Sequence, residues 1–152
     1  ESFRPIAKTI GRIFRDYSGD QELKLPEIQI YGRRGARILT KLLAVDGITF
    51  GRHIFIKPSL LRRDTGGKLR ISRELVVHEL AHTMQHRREG AFKFLFNYAR
   101  AYFAILRRKK KRDARARFEA YLEIPHEIEA RRAAAAYFAW RGGAGKRLII
   151  RP

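Results

Sequence analysis

The sequence predicts an α+β fold in a single domain over residues 1–152. Strand-like stretches are confined to the first half of the chain, whereas the second half shows helical periodicity only. This order is typical of α+β proteins, in which helices lie to one side of a small sheet. With 45% hydrophobic residues, a chain of 152 residues is long enough to bury one continuous core.

The first elements are a helix, a strand and a second helix. Apolar residues at helical spacing from Pro5 to Tyr17 predict the first helix. Residues 27–31, EIQIY, predict a strand. The apolar pattern that follows Ala36 predicts a second, short helix. Next, residues 48–50 and 53–57 read as two β segments around a turn at Gly51 and Arg52.

The second half begins with a loop and continues with helices. Residues 58–70 have no clear periodicity and predict a loop, after which Ser72 is a plausible N-cap for a helix that ends near Gly90. The remaining ranges are two helices at residues 91–106 and 114–122, a last helix from Pro125 to about Trp140, and a tail, GGAGKRLIIRP, expected to be flexible.

The most apolar segment, AFKFLFNYARAYFAIL, is read as a buried helix. At residues 91–106 it is shorter than the roughly 20 residues that span a bilayer, and it contains Lys93 and Arg100. The sequence therefore predicts no transmembrane segment. Contact with a membrane surface is the alternative, because the segment is aromatic and a basic run follows it. The N-terminal residues show no signal-peptide core, and both compartment and oligomeric state stay open.

The charge balance favours acidic partners. The chain has 34 Lys and Arg against 15 Asp and Glu, a formal charge of +19, which suits nucleic acid, an anionic membrane surface or an acidic protein. A solvated, arginine-rich surface explains the same composition. The run RRKKKRDARAR at residues 107–117 is the candidate nucleic-acid contact. A solvated connector between helices is the preferred interpretation, because no aromatic residue is interleaved before Phe118.

The stretch VVHELAHTMQHRREG, residues 76–90, carries the candidate chemistry. His78 and His82 are one helical turn apart, about 6 Å, so both imidazoles can reach one ion. The chain has no cysteine, so a metal must be held by His, Asp or Glu, and zinc suits such donors. In this HExxH pattern Glu79 is the expected general base for a metal-bound water. A solvated helix face with two histidines is the alternative.

The helical angles separate this helix into two arcs. The apolar arc, expected to pack on the core, contains Val76, Val77, Leu80, Ala81 and Met84. The opposite arc presents the histidines and Glu79. His86 is another turn away from the ion, so we expect it to be solvated or to support the ligands instead of binding the metal.

The third ligand must come from elsewhere in the chain. The candidates are two histidines and an acidic cluster, namely His53, His126, Glu119, Glu123, Glu127 and Glu129. Spacing alone does not choose among them. Glu127 lies early in the last predicted helix, where a first-turn acid also stabilises the helix dipole.

Two resemblances to known protein families narrow the choice of the third ligand. HELAHTMQ followed by PHEIEARRAAAAYFA resembles the gluzincin class of zinc metallopeptidases, which implies Glu127 as the third ligand and Glu129 as the fallback. Arg131 stands where that class often has Asp, Asn or Glu as a supporting residue. Residues 23–140 are similar to a bacterial metallopeptidase-like domain of unknown function, found in toxin loci and beside extracellular contractile injection systems. The resemblance carried by LPEIQIYGRRGARILTKLLAVDGITFGRHIFIKPSLL and LVVHELAHTMQ implies a zincin-like fold, with the HIFIKP strand beside the site helix and able to hold an extended substrate.

The resulting hypothesis is a zinc-dependent peptidase acting on peptide or protein substrates, including acidic ones. His78, His82 and Glu127 would bind zinc, and Glu79 would act as the base. An additional oxyanion donor is sought among Tyr98, Tyr121 and Tyr137. The alternatives are a catalytically weak zinc-binding module for assembly or cargo in an injection or toxin system, and a basic nucleic-acid-binding protein.

Overall fold

The computed structural model describes residues 7–9, 28–42, 45–63, 65, 69–110, 112–140 and 147–150. Within these ranges the fold is α+β, as predicted. The first half contains β1 (Ala7–Thr9), β2 (Ile28–Tyr31), α1 (Arg34–Leu42), β3 (Gly47–Phe50) and β4 (His53–Ile56). The second half contains a 3-10 turn (Pro58–Leu60), β5 (Arg62–Arg63), β6 (Leu69–Ser72), α2 (Arg73–Glu89), α3 (Ala91–Arg108), α4 (Ala114–Leu122), α5 (Pro125–Trp140) and β7 (Arg147–Ile150).

The main sheet has four strands in the order β1-β2-β4-β3. The β2 and β4 strands are parallel, and the other two pairs are antiparallel. The turn between β3 and β4 contains Gly51 with φ +58°, a conformation that glycine adopts without strain. Among the described strands β3 therefore forms one edge of the sheet, and β4 lies in its interior.

The core joins this sheet to α2. Alternate isoleucines of β2 and β4, namely Ile28, Ile30, Ile54 and Ile56, are fully buried and pack with Val76 and Leu80 of α2. On another side of α2, Val77 packs with Ala134 and Tyr137 of α5. The apolar arc predicted for α2 is thus packed, although it divides between two neighbours, the sheet and α5.

The first predicted helix is wrong where the structure describes it. Residues 7–9 form β1, whose Ala7 lies opposite Ile30 in an antiparallel pair with β2. Backbone pairing with a strand far along the chain overrides the local apolar spacing here. Residues 10–17 of that prediction lie outside the described residues.

Two more predictions are wrong in part, because the structure contains a second sheet. The β5, β6 and β7 strands pair antiparallel, with Ile71 of β6 opposite Leu148 of β7. Part of the predicted loop at residues 58–70 and part of the tail are therefore strands. These strands have only two to four residues, too few to show a clear period, and β7 is distant in sequence from its partner β6. The β6 strand runs directly into α2, and Ser72 stands at the N-cap position without a side-chain capping bond.

The helices between β6 and β7 match their predicted ranges to within two residues. Gly90, with φ +84°, separates α2 from α3, and α5 begins at Pro125. The α3 helix is not buried as predicted, because only Phe94 and Ile105 are buried within it. No helix in the described part of the chain is long and apolar enough to cross a membrane.

Candidate metal centre

Three side chains from α2 and α5, which we call the ligand triangle, each bring one ligand atom within 4.8 Å of those of the other two. His78 Nε2 and His82 Nε2 are 3.1 Å apart, and Glu127 carboxylate oxygens lie 3.2 Å from each of them. Among the described residues these three form the group able to hold a metal ion. The structure therefore brings together the two histidines of the HELAH helix and the glutamate that the resemblance implies.

The spacing of the two histidine nitrogens fits tetrahedral zinc, and a Glu127 oxygen lies close to each of them. Zinc bonds of about 2.0–2.1 Å to nitrogen and oxygen place neighbouring ligands of a tetrahedron about 3.3–3.4 Å apart. The two histidine nitrogens, 3.1 Å apart, are close to this, and Glu127 brings Oε2 to 3.2 Å from His78 Nε2 and Oε1 to 3.2 Å from His82 Nε2. Glu127 Oε2 is buried and receives no hydrogen bond of acceptable geometry from the described residues, so a lone pair remains for a cation. The donor set fits zinc.

Packing between α2 and α5 fixes Glu127 opposite the histidines. Ala130 and Ala134 of α5 are buried, and such small side chains allow two helices to approach closely. Glu127 lies in the first turn of α5 and is itself almost fully buried. Burial would raise the pKa of Glu127, but the His78 and His82 imidazoles outweigh it and hold that pKa well below its ordinary value. The carboxylate is therefore ionised at neutral pH.

Two tyrosines lie close to Glu127. Tyr98 Oη donates to Glu127 Oε1 at 2.8 Å, and the charge of Glu127 acts on the phenol of Tyr121. Burial, followed by the nearby Glu127 charge, raises the pKa of both phenols above the ordinary range, so both stay protonated as donors. Tyr137 instead packs in the core between α2 and α5. Tyr98 is thus an orienting group for the candidate ligand.

Gln85 sets the tautomer of His82. The Gln85 Nε2 amide donates to the His126 carbonyl and to Glu129 Oε2, both at 3.0 Å, which turns Gln85 Oε1 toward His82 Nδ1 at 2.8 Å. A carbonyl oxygen only accepts, so His82 Nδ1 carries the proton and Nε2 directs its lone pair at the centre. Burial would lower the pKa of His82, but Glu127 raises it above the ordinary value.

Glu129 lies outside the ligand triangle. Arg88 donates to its two carboxylate oxygens at 2.8 and 3.0 Å, and Gln85 donates to one of them. Its connection to the centre is therefore indirect, through Gln85 and His82. Arg131, which replaces an expected acidic or amide residue, donates to the Leu122 carbonyl.

Glu79 is buried beside the triangle and is held by β3. Thr49 Oγ1 donates to Glu79 Oε2 at 2.6 Å. Gly47 leaves room for the carboxylate, because a Cβ at this position would lie only 2.8 Å from Glu79 Cδ. Burial raises the pKa of Glu79, and this outweighs the opposing effects of His82 and of the Thr49 hydrogen bond. A raised pKa suits a carboxyl group that exchanges protons near neutral pH.

The β3 strand therefore supplies two site residues that the sequence had not indicated. A glycine inside a strand pattern is a signal of close backbone approach, and it could have pointed to Gly47. Thr49 had no comparable signal. The HIFIKP strand, β4, packs Ile54 and Ile56 against the site helix, but it lies between β2 and β3, so the strand whose residues contact Glu79 at the edge of the sheet is β3.

His86 is buried, so of the two roles expected for it solvation is wrong. Its Nε2 donates to the Thr49 carbonyl at 3.1 Å, and its ring packs 4.0 Å from that of Phe94, centroid to centroid. Burial lowers the pKa of His86, which favours the neutral imidazole. His86 thus joins α2 to β3 at the residue whose side chain binds Glu79, and it lies outside the ligand triangle.

The other candidate ligands are engaged elsewhere. His53 Nδ1 contacts Tyr31 Oη, and His126 Nε2 contacts Glu89. Glu119 and Glu123 bind Lys109, which belongs to the basic run, and Glu119 also binds Arg115. Part of that run therefore pairs with α4, in agreement with its interpretation as a connector.

Fold and site together define an α+β protein with a His-His-Glu candidate metal centre and an adjacent buried carboxyl group. Residues 20–90 match the family model described as the eCIS core domain, where eCIS denotes an extracellular contractile injection system. This range includes His78, Glu79 and His82, and it ends before Glu127. No match was found among curated proteins or among solved structures. The comparison thus supports an association with injection systems.

Proposed function

We propose that the protein is a zinc-dependent peptidase whose metal is held by His78, His82 and Glu127. The observation that carries the proposal is the ligand triangle beside the buried Glu79 carboxyl group: the two histidine Nε2 atoms are 3.1 Å apart, and each lies 3.2 Å from an oxygen of Glu127. A structural zinc site would close its shell with a fourth protein ligand, whereas catalytic sites keep three and leave one position for water. The described residues offer three.

Bound zinc would polarise the scissile carbonyl and lower the pKa of a coordinated water. The Glu79 carboxylate would accept a proton from the attacking water as its oxygen bonds to the carbonyl carbon, and it would return that proton to the amine as the C–N bond breaks. Thr49 fixes the Glu79 carboxylate through a 2.6 Å hydrogen bond, and Gly47 gives it space. Tyr98 and Gln85 hold Glu127 and His82 in position, so the ligands need little reorganisation.

The β3 strand is the place where an extended peptide would bind. It is an edge strand among the described residues, and Gly47 and Thr49 touch the proposed base directly. Backbone pairing of a peptide with a sheet edge places it in a fixed register, independent of most of its side chains. At Thr49 the carbonyl already accepts from His86, so pairing is expected toward the Gly47 end.

The test is the variant Glu79→Gln. We expect it to keep one zinc per chain and to lose cleavage of an unfolded protein, because the amide accepts no proton at neutral pH. Glu74→Gln is the matched control, since Glu74 is an exposed residue of the same helix. Cleavage by Glu79→Gln at the wild-type rate would remove Glu79 from the mechanism.

A zinc-binding assembly module is the second candidate. The eCIS core domain match favours it, and so does Arg131, which provides no acidic support for the centre. It predicts full zinc occupancy without cleavage of peptide libraries. The wild-type protein in the cleavage assay above therefore distinguishes the two functions.

A further inference from the structure

Three phenylalanines form an exposed stripe along α3. Phe92, Phe96 and Phe103 are 88%, 67% and 61% exposed, whereas most large apolar side chains of folded proteins lie inside. At 100° per residue the three fall within about 40° of one another on the helix. From first to last they extend about 16 Å along its axis. We call these three residues the aromatic stripe.

The metal centre does not require the aromatic stripe. Phe94 and Tyr98, on the opposite side of α3, face the site: Phe94 packs against the His86 ring, and Tyr98 donates to Glu127. The same helix thus has an inner aromatic face, which is accounted for by the site, and an outer one, which is not. The exposure of the outer face points to a separate partner.

Basic residues follow one flank of the stripe. Lys93, Arg100 and Arg107 lie about 60–100° around the helix from Phe92, so they form a row between the stripe and the buried face. The sequence of α3 contains no Asp or Glu. Arg108, Lys110 and Arg112 continue the positive charge beyond its end, and all three are exposed. The whole chain has a formal charge of +19.

We propose that this face of α3 binds the surface of an anionic lipid bilayer. The Phe rings would enter the boundary between headgroups and acyl chains, and the flanking Lys and Arg would contact lipid phosphates. A helix with an apolar face and a cationic flank binds in the plane of the interface, with the apolar face immersed by about 5–10 Å. This face of α3 matches an anionic bilayer in charge as well as in polarity, because each Lys or Arg near an anionic leaflet adds to binding. The proposal is independent of zinc and of peptide cleavage.

The test is cosedimentation of the protein with vesicles of phosphatidylcholine and phosphatidylglycerol in a molar ratio of about 7 to 3. The wild type is expected to sediment with these vesicles and much less with phosphatidylcholine alone. Replacing Phe92, Phe96 and Phe103 together by Ser should weaken binding more than about 100-fold. Replacing Lys93, Arg100 and Arg107 by Gln should weaken it about 10-fold or more.

Phe118→Ser is the matched control, since Phe118 of α4 is 60% exposed and lies outside the stripe. It should bind as the wild type does. The substituted positions are exposed, so far-UV circular dichroism of every variant should superimpose on that of the wild type. Equal binding to both vesicle types, or undiminished binding of the stripe variant, would overturn the proposal. A dimer that becomes monomeric in the stripe variant, without vesicle binding, would also overturn it and assign the stripe to a second copy of the chain.

Discussion

His82 Nδ1 and Gln85 Oε1 lie 2.8 Å apart on successive turns of α2, and this contact leaves His82 Nε2 free to bind a cation. Gln85 is itself fixed by Glu129 and by the His126 carbonyl. Groups on α5 thus determine, through Gln85, which nitrogen of the His82 imidazole carries the proton. Partners of this kind orient metal-binding histidines and raise their basicity.

Replacing Gln85 by Leu should therefore weaken zinc binding. We expect a loss of about 10- to 100-fold in affinity, because His82 loses the acceptor that fixes its tautomer. Competition with a chromogenic chelator measures the affinity. Gln29→Leu is the control, since Gln29 accepts from Tyr31 Oη on β2 and should leave the affinity unchanged. Equal affinities for the wild type and Gln85→Leu would show that Gln85 has no orienting role.

Gly47→Ala should reduce cleavage and leave zinc in place. The added methyl group would lie 2.8 Å from Glu79 Cδ, so the carboxylate must move, while the three ligands are not touched. We expect kcat to fall by about 100-fold or more, as is common for a misplaced catalytic group. Metal analysis and kinetics on one preparation separate the two effects. Full activity in this variant would mean that Glu79 acts from another position.

Thr49→Val should move the acid limb of the pH profile to higher pH. The hydrogen bond from Thr49 lowers the pKa of Glu79, so its removal raises that pKa further above the ordinary value. A base works only when deprotonated, so activity is then lost at a higher pH as the solution is acidified. The profile of kcat/KM against pH measures the shift, and Thr49→Ser should restore it. A profile with an unmoved acid limb in the Val variant would contradict the role of this bond.

Ile54→Ala should destabilise the fold, whereas Ile38→Ala should not. Ile54 is fully buried between the sheet and α2, and Ile38 is 67% exposed on α1. Truncation of a buried isoleucine lowers the free energy of unfolding by about 2–5 kcal/mol, while exposed positions change it by about 0.5 kcal/mol or less. Urea unfolding followed by circular dichroism gives both values. Similar losses in the two variants would contradict the described core.

The local sequence pattern was sufficient to predict the helices and strands whose bounds and buried faces depend on nearby residues. The β2 strand, the β3–β4 hairpin and the helices from Arg73 onward follow from periodicity, from Gly90 and from Pro125. The β1 strand and the β6–β7 pair did not follow, because their partners are distant in sequence. The α3 helix was predicted to be buried, and the exposure of its aromatic stripe did not follow from the sequence. An apolar helix face has the same pattern whether the core of the protein covers it or not.

Half of the candidate site could be predicted from one helix, and the other half could not. His78 and His82 share a face of α2 because they are four residues apart. Glu127 and Glu129 lie about 200° apart on α5, so only the orientation of that helix decides which one reaches the histidines. Packing of Val77 against Ala134 and Tyr137 fixes this orientation. The resemblance to gluzincins supplied the choice that spacing had left open.

The most direct measurement is zinc stoichiometry on the wild type, Glu127→Ala and Glu129→Ala. The triangle of ligand atoms predicts one zinc per chain in the wild type and in Glu129→Ala, and loss of tightly bound zinc in Glu127→Ala. The Glu129 variant is the matched control, because it removes a carboxylate of the same helix that binds Arg88 and Gln85 instead. Zinc retained in Glu127→Ala, or absent from all three proteins, would contradict the proposed metal centre.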